Sequence, residues 1–152
     1  MLGTNQAVRG FMQLIEKHFL EHRELEDAAA RLARIVDAAV PDAAAVAAVR
    51  WNMAAALLDH CANGDREVYE RLVVSGDGAA IAAAWRFRQE HGETAESFRR
   101  YVQQWPVARI TREWREFQAE TRLVLSQLAA CIAMEEAVLH PHLKRLHIKS
   151  AA

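Results

Sequence analysis

The chain is short of the residues that break or staple a fold. Three prolines, at positions 41, 106 and 141, and six glycines are spread over 152 residues. Two cysteines, Cys61 and Cys131, are too few for a disulfide framework, so reduced thiols in a cytoplasm are expected. The net charge of −1 offers no handle to nucleic acid or to an anionic membrane surface. No stretch approaches the roughly 18 uncharged apolar residues of a membrane span. The start, with Arg9, Glu16 and Lys17, lacks a signal-peptide apolar run. Segments alternating with period two are scarce, which argues against strands. What remains is alanine-rich, helix-favouring sequence, long enough for one domain with a real core over residues 1–152.

Four long helices are expected. Helix A runs from about Gln6 to Ala39 and is stopped by Pro41. Helix B starts at Asp42, a suitable N-cap, and reaches about Val74, with a weak point at Asn63-Gly64. Ser75 to Gly78 is a turn. Helix C covers about Ala79 to Gln104, where Trp105-Pro106 breaks it. Helix D starts near Thr111 and reaches at least Leu139, with Pro141 ending or kinking it.

Apolar residues on these segments recur in steps of three and four. Helix A gives Phe11, Ile15, His18, His22, Leu25, Ala29, Leu32 and Val36; helix D gives Trp114, Phe117, Thr121, Val124, Leu128, Cys131, Glu135 and Val138. Helix C gives Ala84, Phe87, His91, Ala95, Phe98 and Val102, and helix B a looser Val46, Val49, Met53, Leu57 and His60. That is the seam of an all-α, up-down-up-down antiparallel four-helix bundle. Trp51, Trp85, Trp105 and Trp114 fit core and bundle-end packing.

Polar ligands interrupt each seam: His22, His60, His91, and Cys131 with Glu135. A buried imidazole or carboxylate is costly unless satisfied, most often by a hydrogen bond. Here the placement adds something. His22 lies 19 residues before Pro41 and His60 lies 19 after it, so the two are level across the A–B turn. His60 and His91 stand 16 and 15 residues either side of Gly76, again level. Cys131 joins them only if the chain reverses near residue 111; a reversal at Pro106 leaves it roughly 15 Å too far along. Several helices aiming N, O and S donors at one axis is how a bundle holds a metal ion. Imidazole and carboxylate suit iron, zinc or manganese, and thiolate favours zinc or iron. His18, one turn before His22, is read as an outer partner or core-rim histidine, and His140 and His142 as surface or capping residues. The tail cations Lys144, Arg145, His147 and Lys149 suit a helix C-terminus. Zinc-protease, Glu-x-x-His, nucleophile-elbow and phosphate-loop motifs are absent.

Four short motifs in order carry a family resemblance: Glu21-His22-Arg23-Glu24-Leu25; Leu58-Asp59-His60 followed by Glu67-Val68-Tyr69; Gln89-Glu90-His91; and Cys131 to Pro141 with Glu135 inside it. Over roughly residues 10–145 the chain resembles the hemerythrin-like (HHE cation-binding) family. The resemblance implies a bundle in which first- and second-helix histidines serve one iron, third- and fourth-helix histidines the other, and two carboxylates bridge. Carried over, it gives His22 and His60 for one half, His91 for part of the other, and Glu135 as a bridge. Cys131 stands where the fourth-helix histidine belongs, and Gly64 where the second-helix carboxylate belongs. Asp65 is about 100° around a regular helix from that position, so Asp59 and Asn63 enter as other donors, and the glycine leaves a space for water or a small ligand. Three readings follow. The first is a metal-binding protein with iron or zinc, fewer than two ions, serving sensing, storage or small diatomic ligand binding. The second is a metal-free scaffold for partner binding or a homodimer. The third is an iron–thiolate, peroxide-handling enzyme at Cys131.

Overall fold

The computed structural model describes residues 3–152, with side chains described from Gly10 onward; Met1, Leu2 and the side chain of Arg9 lie outside that range. The described chain is all helical. The elements are α1 (Gly3–Val36), α2 (Ala43–Asp59), a π-turn (His60–Asp65), α3 (Arg66–Val73), α4 (Gly78–His91), α5 (Thr94–Gln104), α6 (Val107–Arg112) and α7 (Trp114–Ala151). The long helices α1 and α7 pack on each other; α2 packs on α1 and α5, and α4 on α3 and α7.

Local chemistry sets most of the boundaries. Asp42 accepts from Ala45 N at 3.0 Å and starts α2, and Asp77 does the same for α4 through Ala80 N at 3.0 Å. Gly76 makes the preceding turn at φ 71°, a conformation open to glycine. Asp77 also receives the tail: Arg145 Nη2 reaches it at 2.9 Å and Lys149 Nζ at 3.1 Å. The basic tail is thus tied across the bundle to the start of α4, rather than serving only its own helix end.

Three expectations are corrected. Helix C is broken at Gly92: a Cβ there would lie 2.4 Å from the Arg88 carbonyl oxygen, and the Thr94 hydroxyl takes up the His91 carbonyl at 2.9 Å as α5 begins. Helix D runs unbroken through Pro141. The hydrogen bond lost there would end on Ala137, which like Pro141 is exposed to water, while buried Leu139 and Leu143 hold the helix on either side. The link after Trp105 is itself helical: α6 packs on the bundle end through its own Ile110, which is fully buried. The chain therefore reverses near Glu113, which brings Thr94 and Cys131 level, with Oγ1 and Sγ 3.7 Å apart.

The interior has two apolar cores. One holds Leu25, Leu32, Met53, Leu57, Phe98, Trp105, Phe117 and Leu128. The other holds Phe11, Ile15, Val68, Leu72, Phe87, Leu139 and Leu143. Each fully buried Leu or Phe contributes roughly 1.5–3 kcal/mol of transfer free energy. Trp105 and Trp114 lie in the first core, whereas Trp51 and Trp85 are 78% and 55% exposed, contrary to their expected packing. By length and composition alone α7 could cross a membrane; here its buried face carries Glu135 and His140 between the two cores.

Candidate metal centre

Between the two cores lies a layer of buried polar side chains: His18 and His22 from α1, His60 and Asp65 from the π-turn, and Glu135 and His140 from α7. The geometry of each pair follows from its helix. His18 and His22 are one α-turn apart and share a face.

His60 and Asp65 are five residues apart, which in an α-helix would separate them by about 140°. The π-turn absorbs one extra residue per turn, so Asp65 comes round beneath His60, with Oδ1 3.0 Å from His60 Nε2. Asp65 thereby takes the place that regular helical spacing denied it, and it is Asp65 that occupies the layer. Asp59 and Asn63 face outward and bond to each other at 2.7 Å. Gly64 leaves no open space: a Cβ there would lie 2.0 Å from Glu21 Oε2, so the missing side chain is what lets Glu21 reach His60.

One pattern organises the three α1 and π-turn histidines. Their Nε2 atoms converge on carboxylates. From Glu135 Oε2, His22 Nε2 is 2.7 Å away, and His18 Nε2 and His60 Nε2 are each 3.4 Å away. His18 Nε2 is also 2.9 Å from Asp65 Oδ1. Their Nδ1 atoms each meet a partner of their own: His18 meets buried His140 Nε2 at 2.8 Å, His22 meets Glu136 at 2.9 Å, and His60 meets Glu21 at 2.7 Å. Arg23 in turn bonds Glu136. Outer partners of this kind fix the ring and leave Nε2 free to ligate.

The charge balance is set by burial against these contacts. Burial disfavours charge on His60, but bonds to Asp65 and Glu135 prevail and raise its pKa to about 11. Burial would raise the Asp65 pKa, yet the His18 and His60 contacts hold it well below the usual carboxylate range. His140 is pushed down to about 4 by burial and by the neighbouring His18 and His22. Its Nδ1 is buried without a partner.

The donor set fits a cation. Ligand atoms of His18, His22, His60 and Glu135 all lie within 4.8 Å of one another, and every one of these residues is buried. Among the described residues no lysine or arginine pairs with buried Glu135 or Asp65; imidazoles face both, and the Cys131 thiol reaches Glu135. Of the residues expected from sequence, His22, His60 and Glu135 meet here. His91 does not join them: its ring packs tilted against Phe87, with centroids 4.3 Å apart, beside a cavity. Cys131 borders the group, with Sγ 3.8 Å from Glu135 Oε1, and burial with the nearby Glu135 charge pushes its thiol up to about 12. His18 and His140, expected as a rim and a surface residue, are both inside. The His18–His22 spacing is visible in the sequence; His140, about 140° round a regular helix from Glu135 and beside Pro141, gives no such signal.

The π-turn can be tested by deletion. Because it is a one-residue insertion, removing exposed Ala62 should leave a continuous α-helix with histidine and aspartate four apart. The melting temperature is expected to stay within about 4 °C, the shift that ~1 kcal/mol produces at this size. Removing exposed Ala30 from regular α1 rotates its halves by about 100° and should unfold the chain. Thermal melts followed by circular dichroism compare the two.

Comparison with curated proteins and with solved structures finds no match. A comparison with protein families does: the pattern described as the Hemerythrin HHE cation binding domain matches residues 7–145. With a helical fold and a buried layer of histidines and carboxylates already in place, that match over most of its length makes this chain a member of the hemerythrin HHE cation-binding domain family.

Proposed function

We propose that the chain is a metal-binding protein whose ion is held by His18, His22, His60 and Glu135, with Asp65 as a further donor. One observation carries this reading: three imidazoles turn Nε2 toward shared carboxylates while each Nδ1 is held by a separate partner. Five donors of imidazole and carboxylate type suit iron better than four-coordinate structural zinc. A bound iron would supply a Lewis-acidic position and a one-electron couple. The protein's own part is to orient three rings, exclude bulk water with the two cores and hold the anionic charge. In this reading the rods α1, α2–α3, α4–α5 and α7 run up-down-up-down, and the centre bridges three of them.

Small-ligand binding or sensing is the role these features support. A cavity of about 630 Å³, lined by His91, Thr94, Cys131 and Met134 among others, ends at Cys131, one side chain away from Glu135. It offers a diatomic molecule a route toward the centre. Cys131, held as a thiol, narrows that route and is no ligand in this reading, so turnover through an iron–thiolate is not proposed.

Elemental analysis with an ultraviolet–visible spectrum tests the reading, on untagged protein from cells supplied with iron and zinc. About one iron per chain is expected. Charge-transfer bands of a two-iron centre would instead enlist His140 and Asp65 as full ligands. Metal far below stoichiometric would sink the proposal and leave a metal-free scaffold.

A further inference from the structure

Helix α2 carries two apolar stripes. The inward one, Val46, Met53 and Leu57, is buried in the first core. The outward one is Ala47, Trp51, Ala54 and Leu58, in steps of four and three. It is open to solvent: Trp51 is 78% exposed and Leu58 is 51% exposed. From Ala43 to Leu58 the only charged residue is Arg50, and that one is buried. Uncharged apolar positions in steps of four and three form the seam of a packed helix pair. Here the seam lies open.

A cavity of about 290 Å³ runs along this seam, between α2 and α5. All four seam residues line it, and Ala95, Phe98 and Val102 wall it from α5. Its rim is polar but already neutralised, since Arg99 meets Glu96 at 2.7 Å. An exposed indole and a hollow that admits one therefore sit side by side on a single face. Such a face is complementary to itself: a two-fold rotation seats each Trp51 in the hollow of the other copy. The helix suits that rotation. Trp51 is the middle residue of α2, with eight residues on either side, so antiparallel copies overlap along the whole helix, with Ala44 opposite Leu58 and Ala47 opposite Ala55. No like charges meet along the seam.

We propose that this face joins two copies of the chain, α2 antiparallel to α2 about a two-fold axis near Trp51, each indole filling the α2–α5 hollow of the other copy. The area is sufficient. The 17 residues of α2 span roughly 25 Å, and α2 with α5 beside it is roughly 20 Å wide. Covering that face on both copies buries roughly 1,000 Å², the size at which specific interfaces begin. Its make-up is that of an interface as well: an aromatic anchor at the centre, apolar walls and a polar rim. The face uses none of the metal donors, and neither site depends on the other.

Sedimentation velocity on the full chain, from about 5 to 200 µM, should show monomer giving way to dimer, because interfaces near the lower size limit hold in the micromolar range. Trp51→Ala should weaken the dimer about thirtyfold or more, as truncation of a tryptophan anchor does. Its side chain is exposed, so the variant should keep the circular dichroism of the parent, and its melting temperature at the lowest concentration. Leu58→Lys should weaken the dimer as well, by stranding a charge on the seam. Trp85→Ala is the control: it removes another exposed tryptophan, on α4, and should dimerise like the parent. A chain still monomeric at the highest concentration, a dimer indifferent to Trp51→Ala or to Leu58→Lys, or one weakened equally by Trp85→Ala would each overturn the proposal. So would stoichiometric binding of anilinonaphthalene sulfonate, lost in Trp51→Ala, to a chain that stays monomeric, which would give the hollow to a small apolar ligand.

Discussion

Glu135→Ala is expected to bring the chain from about one metal ion to under a tenth of one, and to lower its melting temperature by about 8–16 °C. The first figure follows from position. Glu135 Oε2 is the atom that all three inward Nε2 atoms approach, at 2.7, 3.4 and 3.4 Å, and no other carboxylate touches His22 Nε2. The second follows from linkage: an ion at 1,000 times its dissociation constant adds about 4 kcal/mol to the folded state. In a chain of this length each kcal/mol moves the midpoint by about 2–4 °C. Glu136→Ala is the informative comparison. It removes an outer contact to His22 Nδ1, 2.9 Å long, and leaves every inward donor in place. Loss of an outer partner typically costs 10–100-fold in metal affinity, so Glu136→Ala should still load at saturating metal. Metal analysis and thermal melts of the three proteins, with and without a chelator, decide it. If both variants lose metal equally, Glu135 is not the hub. If the parent gains no stability from metal, the proposed centre is not one.

Several parts of this site were legible in the sequence, and the reasons the others were not are specific. His22, His60 and Glu135 sit on seams built from steps of three and four, and counting residues from Pro41 places the two histidines level. That count holds because α1 and α2 are regular up to His60. It fails one residue later. A helical wheel assumes 100° per residue, and the π-turn from His60 to Asp65 violates that assumption where the carboxylate is needed. A regular wheel therefore puts the aspartate on another face and makes the glycine beside it a gap. Gly64 is instead filled by the Glu21 carboxylate, a long-range contact that no local pattern reports. His140, flanking Pro141 near the expected bundle end, reads as a surface or capping residue. Proline ends most helices because of what it removes, but here the removed bond would fall on the solvent side, and packing of Leu139 and Leu143 outweighs it. His91 fits its stripe and its height, yet beside the break at Gly92 its ring lies tilted against Phe87 and lines a cavity. The buried polar layer thus draws on α1, the π-turn and α7. The exposed Trp51 shows the same limit from the other side: α2 is apolar nearly all round, and periodicity alone cannot say which side faces the core.

Metal affinity should rise about tenfold per pH unit between pH 6 and 9. The reason lies in His60. Without metal its Nε2 is shared with Asp65 and Glu135, which overcome the cost of burial and raise its pKa to about 11. At neutral pH this ring is therefore protonated, and an ion that takes Nε2 must first displace that proton. His140, pushed down to about 4, is already neutral there, and the Cys131 thiol, pushed up to about 12, keeps its proton. Neither obscures a slope of one. The stability of the metal-free chain should run the other way. A raised folded-state pKa on His60 gives stability that is complete below its unfolded value of about 6.5 and is lost as pH climbs toward 11. A depressed pKa on Asp65 gives stability that is present above about 3.9 and is lost as pH falls toward its folded value. The metal-free protein is thus best held between about pH 4 and 6.5. The metal-loaded protein gains relative to it with every step toward alkali, so the gap between their melting temperatures should widen from pH 6 to 8. Competition with a chromophoric chelator at three pH values measures the slope, and calorimetry in buffers of different ionisation enthalpy counts the released proton. An affinity that does not change over that range, with no proton released, would mean that the ion binds without taking His60 Nε2, and the centre would have to be redrawn around His18, His22 and Glu135 alone.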